Sequence, residues 1–137
     1  MKVWPLLAVL SLFLLLFLPS RENGHTIHFS AEVLRVVDGD TIEVRILESL
    51  GWPEVGRVEK LRLAGVDAFE LSEARGVLAK VFVDSLCPPG ERIRCEMDGE
   101  RDPYGRLLAR VYLRRGEEWV DLGEELLKRK LARKWED

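Results

Sequence analysis

Between Val36 and Ile46 the chain reads VVDGDTIEVRI, and no other stretch restricts the fold as strongly. Ile42, Val44 and Ile46 alternate with Glu43 and Arg45, the two-residue period of a strand with one buried face. Asp38-Gly39 is a turn dipeptide, with Gly39 expected at positive φ. The stretch is therefore expected to be strand, turn, strand, with Asp40 and Thr41 at a strand mouth. Taken alone, it also fits a surface hairpin with polar tips.

The remaining chain supplies partners for that hairpin. Ala31–Val37 reads as the first strand, with apolar residues on both faces. Glu48–Arg57 carries Gly, Pro and Gly and reads as a long loop, on which Trp52 is expected to pack back against the body. Val58–Ala64 reads as a third strand, bent at Gly65. Ser72 is the expected N-cap of a helix whose stripe is Ala74, Val77, Leu78, Val81, Phe82 and Leu86, stopped by Pro88-Pro89-Gly90. Glu91–Met97 and Leu107–Leu113 alternate as further strands around a loop from Asp98 to Gly105. Asp121 and Glu124 form a capping pair before a last helix with Leu122, Leu126, Leu127 and Leu131. Periodicity thus gives an α+β chain.

At 137 residues one domain is expected, and a formal net charge of −3 argues against a histone-like basic binder. His25 and His28 are too few and too near the N-terminus to suggest a zinc site. Lys2 precedes an apolar run from Val3 to Leu18, broken only by Pro5 and Ser11. As a helix it would span about 24 Å, short of the ~30 Å hydrocarbon core. Residues 1–20 are expected to be a secretory signal peptide, cut after Ser20, or an uncleaved membrane anchor through residues 3–18. Residues 21–30 are expected to be a linker and residues 31–137 the domain. Cys87 and Cys95 could close one disulfide or remain buried thiols, and spacing does not decide between them.

Two further segments bring charge toward the DGDT mouth. LRLAGVDAFE (Leu61–Glu70) carries Arg62, Asp67 and Glu70, and DPYGR (Asp102–Arg106) carries Tyr104 and Arg106. Carboxylates can hold a hard cation, and guanidinium groups bind phosphate in a fixed fork. In this order and spacing, DGDT, RLxGVDxxE and YGR resemble the staphylococcal nuclease (thermonuclease) family, from about Ala31 to Lys134. The resemblance implies a five-stranded OB-type β-barrel with two to three α-helices, here preceded by an N-terminal hydrophobic helix. It implies calcium-dependent hydrolysis of DNA, and of RNA as a second substrate, by a monomer outside the cytoplasm, secreted or anchored to the outer face of the cytoplasmic membrane.

Residue by residue, it implies that Asp40, Asp67 and the carbonyl of Ala68 hold calcium. Glu70 positions or deprotonates the attacking water, and Arg62 and Arg106 bind phosphate. Tyr104 lies beside the nucleotide's phosphate, and Thr41 belongs with the substrate contacts, reaching the metal through water. Phe69 stands where the family usually has proline, the loop after Glu70 is short, and Trp135 falls near the position of the family's nucleotide-pocket tyrosines. Two rival readings are a non-catalytic OB-fold that binds single-stranded nucleic acid and an envelope interaction protein. The slightly acidic composition and the full set of Asp40, Asp67, Glu70, Arg62 and Arg106 argue against the first.

Overall fold

A computed structural model describes residues 25–135, so the expected signal peptide or anchor lies outside the described residues. In chain order the elements are β1 (Ile27–Asp38), β2 (Thr41–Glu48), β3 (Val58–Leu63), β4 (Val66–Ala68), α1 (Ala74–Leu86), β5 (Arg92–Arg101), β6 (Leu107–Arg115), β7 (Glu118–Asp121), α2 (Leu122–Lys128) and β8 (Ala132–Lys134). Antiparallel ladders run β3-β2-β1-β5-β6, and a parallel β3–β6 pairing closes them into a five-stranded barrel. This is the expected OB-type α+β architecture, with two helices among the described residues. β7 extends the sheet as a hairpin on β6, and β4 pairs with β8.

The barrel interior is filled by residues that alternate along each strand. Ile42, Val44 and Ile46 of β2 meet Leu61 and Leu63 of β3 and Leu107, Val111 and Leu113 of β6, all at 1% exposure or less. Each such side chain contributes about 1.5–3 kcal/mol of transfer free energy. On β1 the strict period fails. Register shifts at Val33/Arg35 and Val36/Asp38 turn both Val33 and Val36 inward although they are three residues apart. β1 also begins at Ile27, four residues before the expected start. Ile27 to Ser30 pair with Met97 to Arg94 of β5, so the end of the expected linker is strand. β5 in turn runs to Arg101, and Gly99, at φ +93°, sits in the irregular stretch where a loop was expected.

The first helix meets the barrel differently from its expected pattern. α1 starts at Ala74 with Glu73 as N-cap, because Glu73 N–H closes a turn onto the Glu70 carbonyl at 2.9 Å. Its buried residues are Gly76, Ala79 and Val83, whereas Val77, Leu78 and Val81 face solvent. Small side chains let the helix backbone approach closely, and that contact, not the largest apolar stripe, sets its orientation. For α2 the expected cap holds: Asp121 Oδ1 accepts from Glu124 N at 3.2 Å, with Leu122 and Leu126 buried. Cys87 and Cys95 are free, buried thiols. Burial pushes the Cys87 thiol up to about 12 and raises Cys95 further in the same direction.

Candidate active site

The barrel mouth is built around a glycine that serves packing, not turn geometry. Gly39 does not take the expected positive φ. A Cβ there would lie 2.8 Å from Ala79 Cβ on α1 and 2.9 Å from Ala68 Cβ on β4. The turn is thus wedged between helix and strand, which fixes Asp40 at the entrance. Asp38 Oδ1 accepts from Asp40 N at 3.0 Å, and the Asp40 carbonyl accepts from Leu63 N at 2.9 Å.

From Asp40 the bonds run in two directions. Oδ2 accepts from Ala68 N at 2.9 Å, and Arg62 Nη1 lies 3.5 Å from the same oxygen. Arg62 Nη2 reaches Asp67 Oδ1 at 3.4 Å, so one guanidinium sits against both carboxylates. Its Nη1 also donates to the carbonyls of Leu63 and Val66, each at 2.7 Å. On the other side, Asp40 Oδ1 accepts from Thr41 Oγ1 at 3.2 Å, and Thr41 Oγ1 accepts from Arg106 Nη1 at 2.9 Å. Asp40, Thr41, Arg62, Asp67 and Arg106 therefore form one connected array. Asp40 is 8% exposed, and burial, with help from the Asp38 contact, lifts its carboxyl to about 6. The Ala68 N–H and the Arg62 charge pull the other way without offsetting it.

Two expected members lie apart from that array. Glu70 is exposed, and no hydrogen bond or ion pair joins its carboxylate to the others among the described residues. Its backbone is nevertheless tightly located: a Cβ on Gly76 would fall 1.7 Å from the Glu70 carbonyl oxygen. Phe69, in place of a proline, is held by ring contacts, with the guanidinium groups of Arg75 at 4.3 Å and Arg133 at 4.9 Å. Tyr104 is 85% exposed, its ring 5.5 Å from the Arg106 guanidinium. Trp52, 38% exposed, has the Arg101 guanidinium over its ring at 5.7 Å, and the next residue, Pro53, is buried.

Sequence reasoning missed three residues that hold Arg106. Asp102 accepts from the backbone N–H of Tyr104 and of Arg106, each at 2.9 Å, and from Arg106 Nε at 2.5 Å. Burial alone would raise the Asp102 carboxyl, but these bonds and the Arg106 charge outweigh it and hold it below its ordinary value. The Asx-turn signature of Asp two and four residues before Tyr104 and Arg106 could have revealed it. The other two are Arg101 and Glu59. Arg101 Nη1 donates to the Gly105 carbonyl at 2.8 Å, while Nη1 and Nη2 reach the two oxygens of Glu59 at 2.8 and 3.0 Å. Glu59, 7% exposed, thereby anchors the turn from a strand 42 residues away.

Small barrel and carboxylate–guanidinium array define an OB-type domain with a charged cluster at one mouth. The sequence pattern of the staphylococcal nuclease homologue family matches residues 60–137, more than half of the chain, and the chain belongs to that family. The matched span includes Arg62, Asp67, Ala68, Glu70, Tyr104 and Arg106; Asp40 and Thr41 precede it and join it through the bonds above. The chain is also similar to an uncharacterized protein of Methanocaldococcus jannaschii, 28% identical over 131 residues, covering 77% of this chain and 59% of that protein. By its description the family is one of nuclease homologues, and this chain spans 59% of the length of the relative it matches.

Proposed function

We propose that the chain is a calcium-dependent nuclease that hydrolyses phosphodiester bonds of DNA, and of RNA, outside the cytoplasm. The observation that carries this reading is the continuous array from Asp67 through Arg62, Asp40 and Thr41 to Arg106 at one mouth. Its donor chemistry suits a hard cation: Asp40, Asp67 and the Ala68 carbonyl offer oxygen only, and no His or Cys stands among them. Calcium bound there would neutralise charge on the phosphate as it is attacked.

The residues of the chain divide the remaining work. Arg106, fixed by Asp102 and Thr41, presents its guanidinium to the phosphate already oriented, so little reorganisation is needed as charge builds. Arg62 acts from the opposite side, held by two backbone carbonyls. Glu70, exposed and carried on a backbone locked against Gly76, takes the proton of the attacking water. Tyr104 covers the bound nucleotide. The apolar run Val3–Leu18 carries the domain out of the cytoplasm, as a signal peptide or as an anchor to the outer face of the membrane. The working species is a monomer.

The test is the cleavage rate of a labelled DNA oligonucleotide by Arg62→Ala, Arg106→Ala and Glu70→Gln. Each should lose on the order of 10²-fold or more, with the melting temperature nearly unchanged for exposed Glu70→Gln and lowered for Arg62→Ala, which strips Asp40 and two backbone carbonyls of their partner. Near-normal turnover in all three would end this assignment. Tight DNA binding without any cleavage by the wild type would favour the non-catalytic reading instead.

A further inference from the structure

The outer face of β6 leads away from the mouth. Leu61 and Leu63 pair with Leu107 and Ala109 inside the barrel, so Arg62 and its partner Leu108 share the outside. From Leu108 the outward positions continue through Arg110, Tyr112 and Arg114, about 20 Å at strand rise. Two cavities lie along this line. The nearer, about 470 Å³, is lined by Leu108, Arg110 and Trp135 and by three acidic residues, Glu96, Asp98 and Glu100. The farther, about 1080 Å³, contains His28, Arg92, Arg94, Tyr112, Arg114 and Trp119, and Glu96 borders both.

The chemistry of the farther groove differs from its surroundings. Its carboxylates have cationic neighbours: Glu48 pairs with Arg92, Glu91 lies 3.9 Å from Arg115, and Glu96 faces Arg110 across the ladder. The three arginines and three glutamates of the lining balance in number, but Arg94 and Arg114 have no carboxylate within ion-pair distance among the described residues, which leaves their guanidinium groups available to an anion. Arg94 lies over the Trp119 ring at 4.1 Å, and Trp119 is still 37% exposed. A guanidinium stacked on an indole beside Tyr112 offers flat faces to bases and charge to a phosphate.

We propose that this groove is a second contact site for a single polynucleotide strand whose scissile phosphate lies at the mouth. The inference rests on the nuclease reading and adds to it a dependence on substrate length. A trinucleotide would occupy the mouth alone, whereas a twelve-nucleotide strand would also reach Arg94 and Trp119.

The experiment uses the full-length protein with fluorescein-labelled oligodeoxynucleotides of three and twelve nucleotides. Binding is read by anisotropy in chelator, and cleavage is read with calcium. Arg94→Ala, Arg114→Ala and Trp119→Ala should each weaken binding of the twelve-mer about tenfold and leave trinucleotide cleavage unchanged. Arg94→Ala should also reduce the salt dependence of twelve-mer binding by roughly 0.7 in log–log slope, the value for one single-strand phosphate contact. Arg94 and Arg114 are exposed, so these two variants keep the test independent of any folding defect in Trp119→Ala. Unchanged twelve-mer binding in both arginine variants, or equal loss on both lengths, would overturn the groove. Wild-type protein that cleaves nothing while the variants still lose twelve-mer binding would overturn the nuclease reading and leave the groove standing.

Discussion

Asp102 holds Arg106 at both its backbone and its side chain: Oδ1 takes the Arg106 N–H at 2.9 Å and Oδ2 takes Nε at 2.5 Å. The guanidinium is thus held in one orientation, with Nη1 directed to Thr41. Asp102→Asn removes the charge from that grip while keeping its shape. The expected result is a loss of about tenfold or more in kcat, about 1.4 kcal/mol, with KM changed less. The carboxyl is held below its ordinary value, so the stability it contributes is present above the unfolded aspartate range. That stability is lost as pH falls through the lower folded-state value. In Asp102→Asn the acid decline of the melting temperature should lack this component, which a series of thermal melts from neutral to strongly acidic pH would read.

Gly76 lies within a helix, where Gly→Ala ordinarily gains about 1 kcal/mol. Here the added methyl would fall 1.7 Å from the Glu70 carbonyl oxygen, backbone that cannot give way cheaply. The clash should win, so Gly76→Ala is expected to destabilise by roughly 1–3 kcal/mol in denaturant titration. It should also lower the cleavage rate by moving Glu70. A stabilised, fully active variant would show that the Glu70 segment is not held as described.

The two thiols make a simpler prediction. Both are buried, and burial raises each well above the solvent range, so neither forms thiolate readily near neutral pH. Alkylation of native protein at pH 8 should be slow, and two alkyl groups should add quickly once denaturant is present without reductant. No addition in denaturant would mean a disulfide.

Local periodicity was enough for β2, β6 and the α2 cap, because in each the residues that alternate or cap are neighbours in sequence. It failed on β1, where bulges turn Val33 and Val36 to the same side. It also failed on α1, where close approach at Gly76 and Ala79 outweighs the larger but exposed Val77, Leu78 and Val81. The charged residues of the mouth were legible through motif spacing, but their connections were not. The Glu59–Arg101 pair spans 42 residues and leaves no local signature. Likewise, Gly39 reads as a turn glycine until Ala68 and Ala79 are seen against it.

The most direct measurement is DNA cleavage after chelation, followed by titration with calcium or magnesium, for wild type and Asp40→Asn. Two carboxylates give modest affinity, so substrate should tighten metal binding and metal should tighten substrate binding by the same factor. The account predicts that activity disappears with chelator and returns with calcium far better than with magnesium. It also predicts that Asp40→Asn needs much more calcium for the same rate. Full activity in chelator, or equal rescue by magnesium, would contradict it.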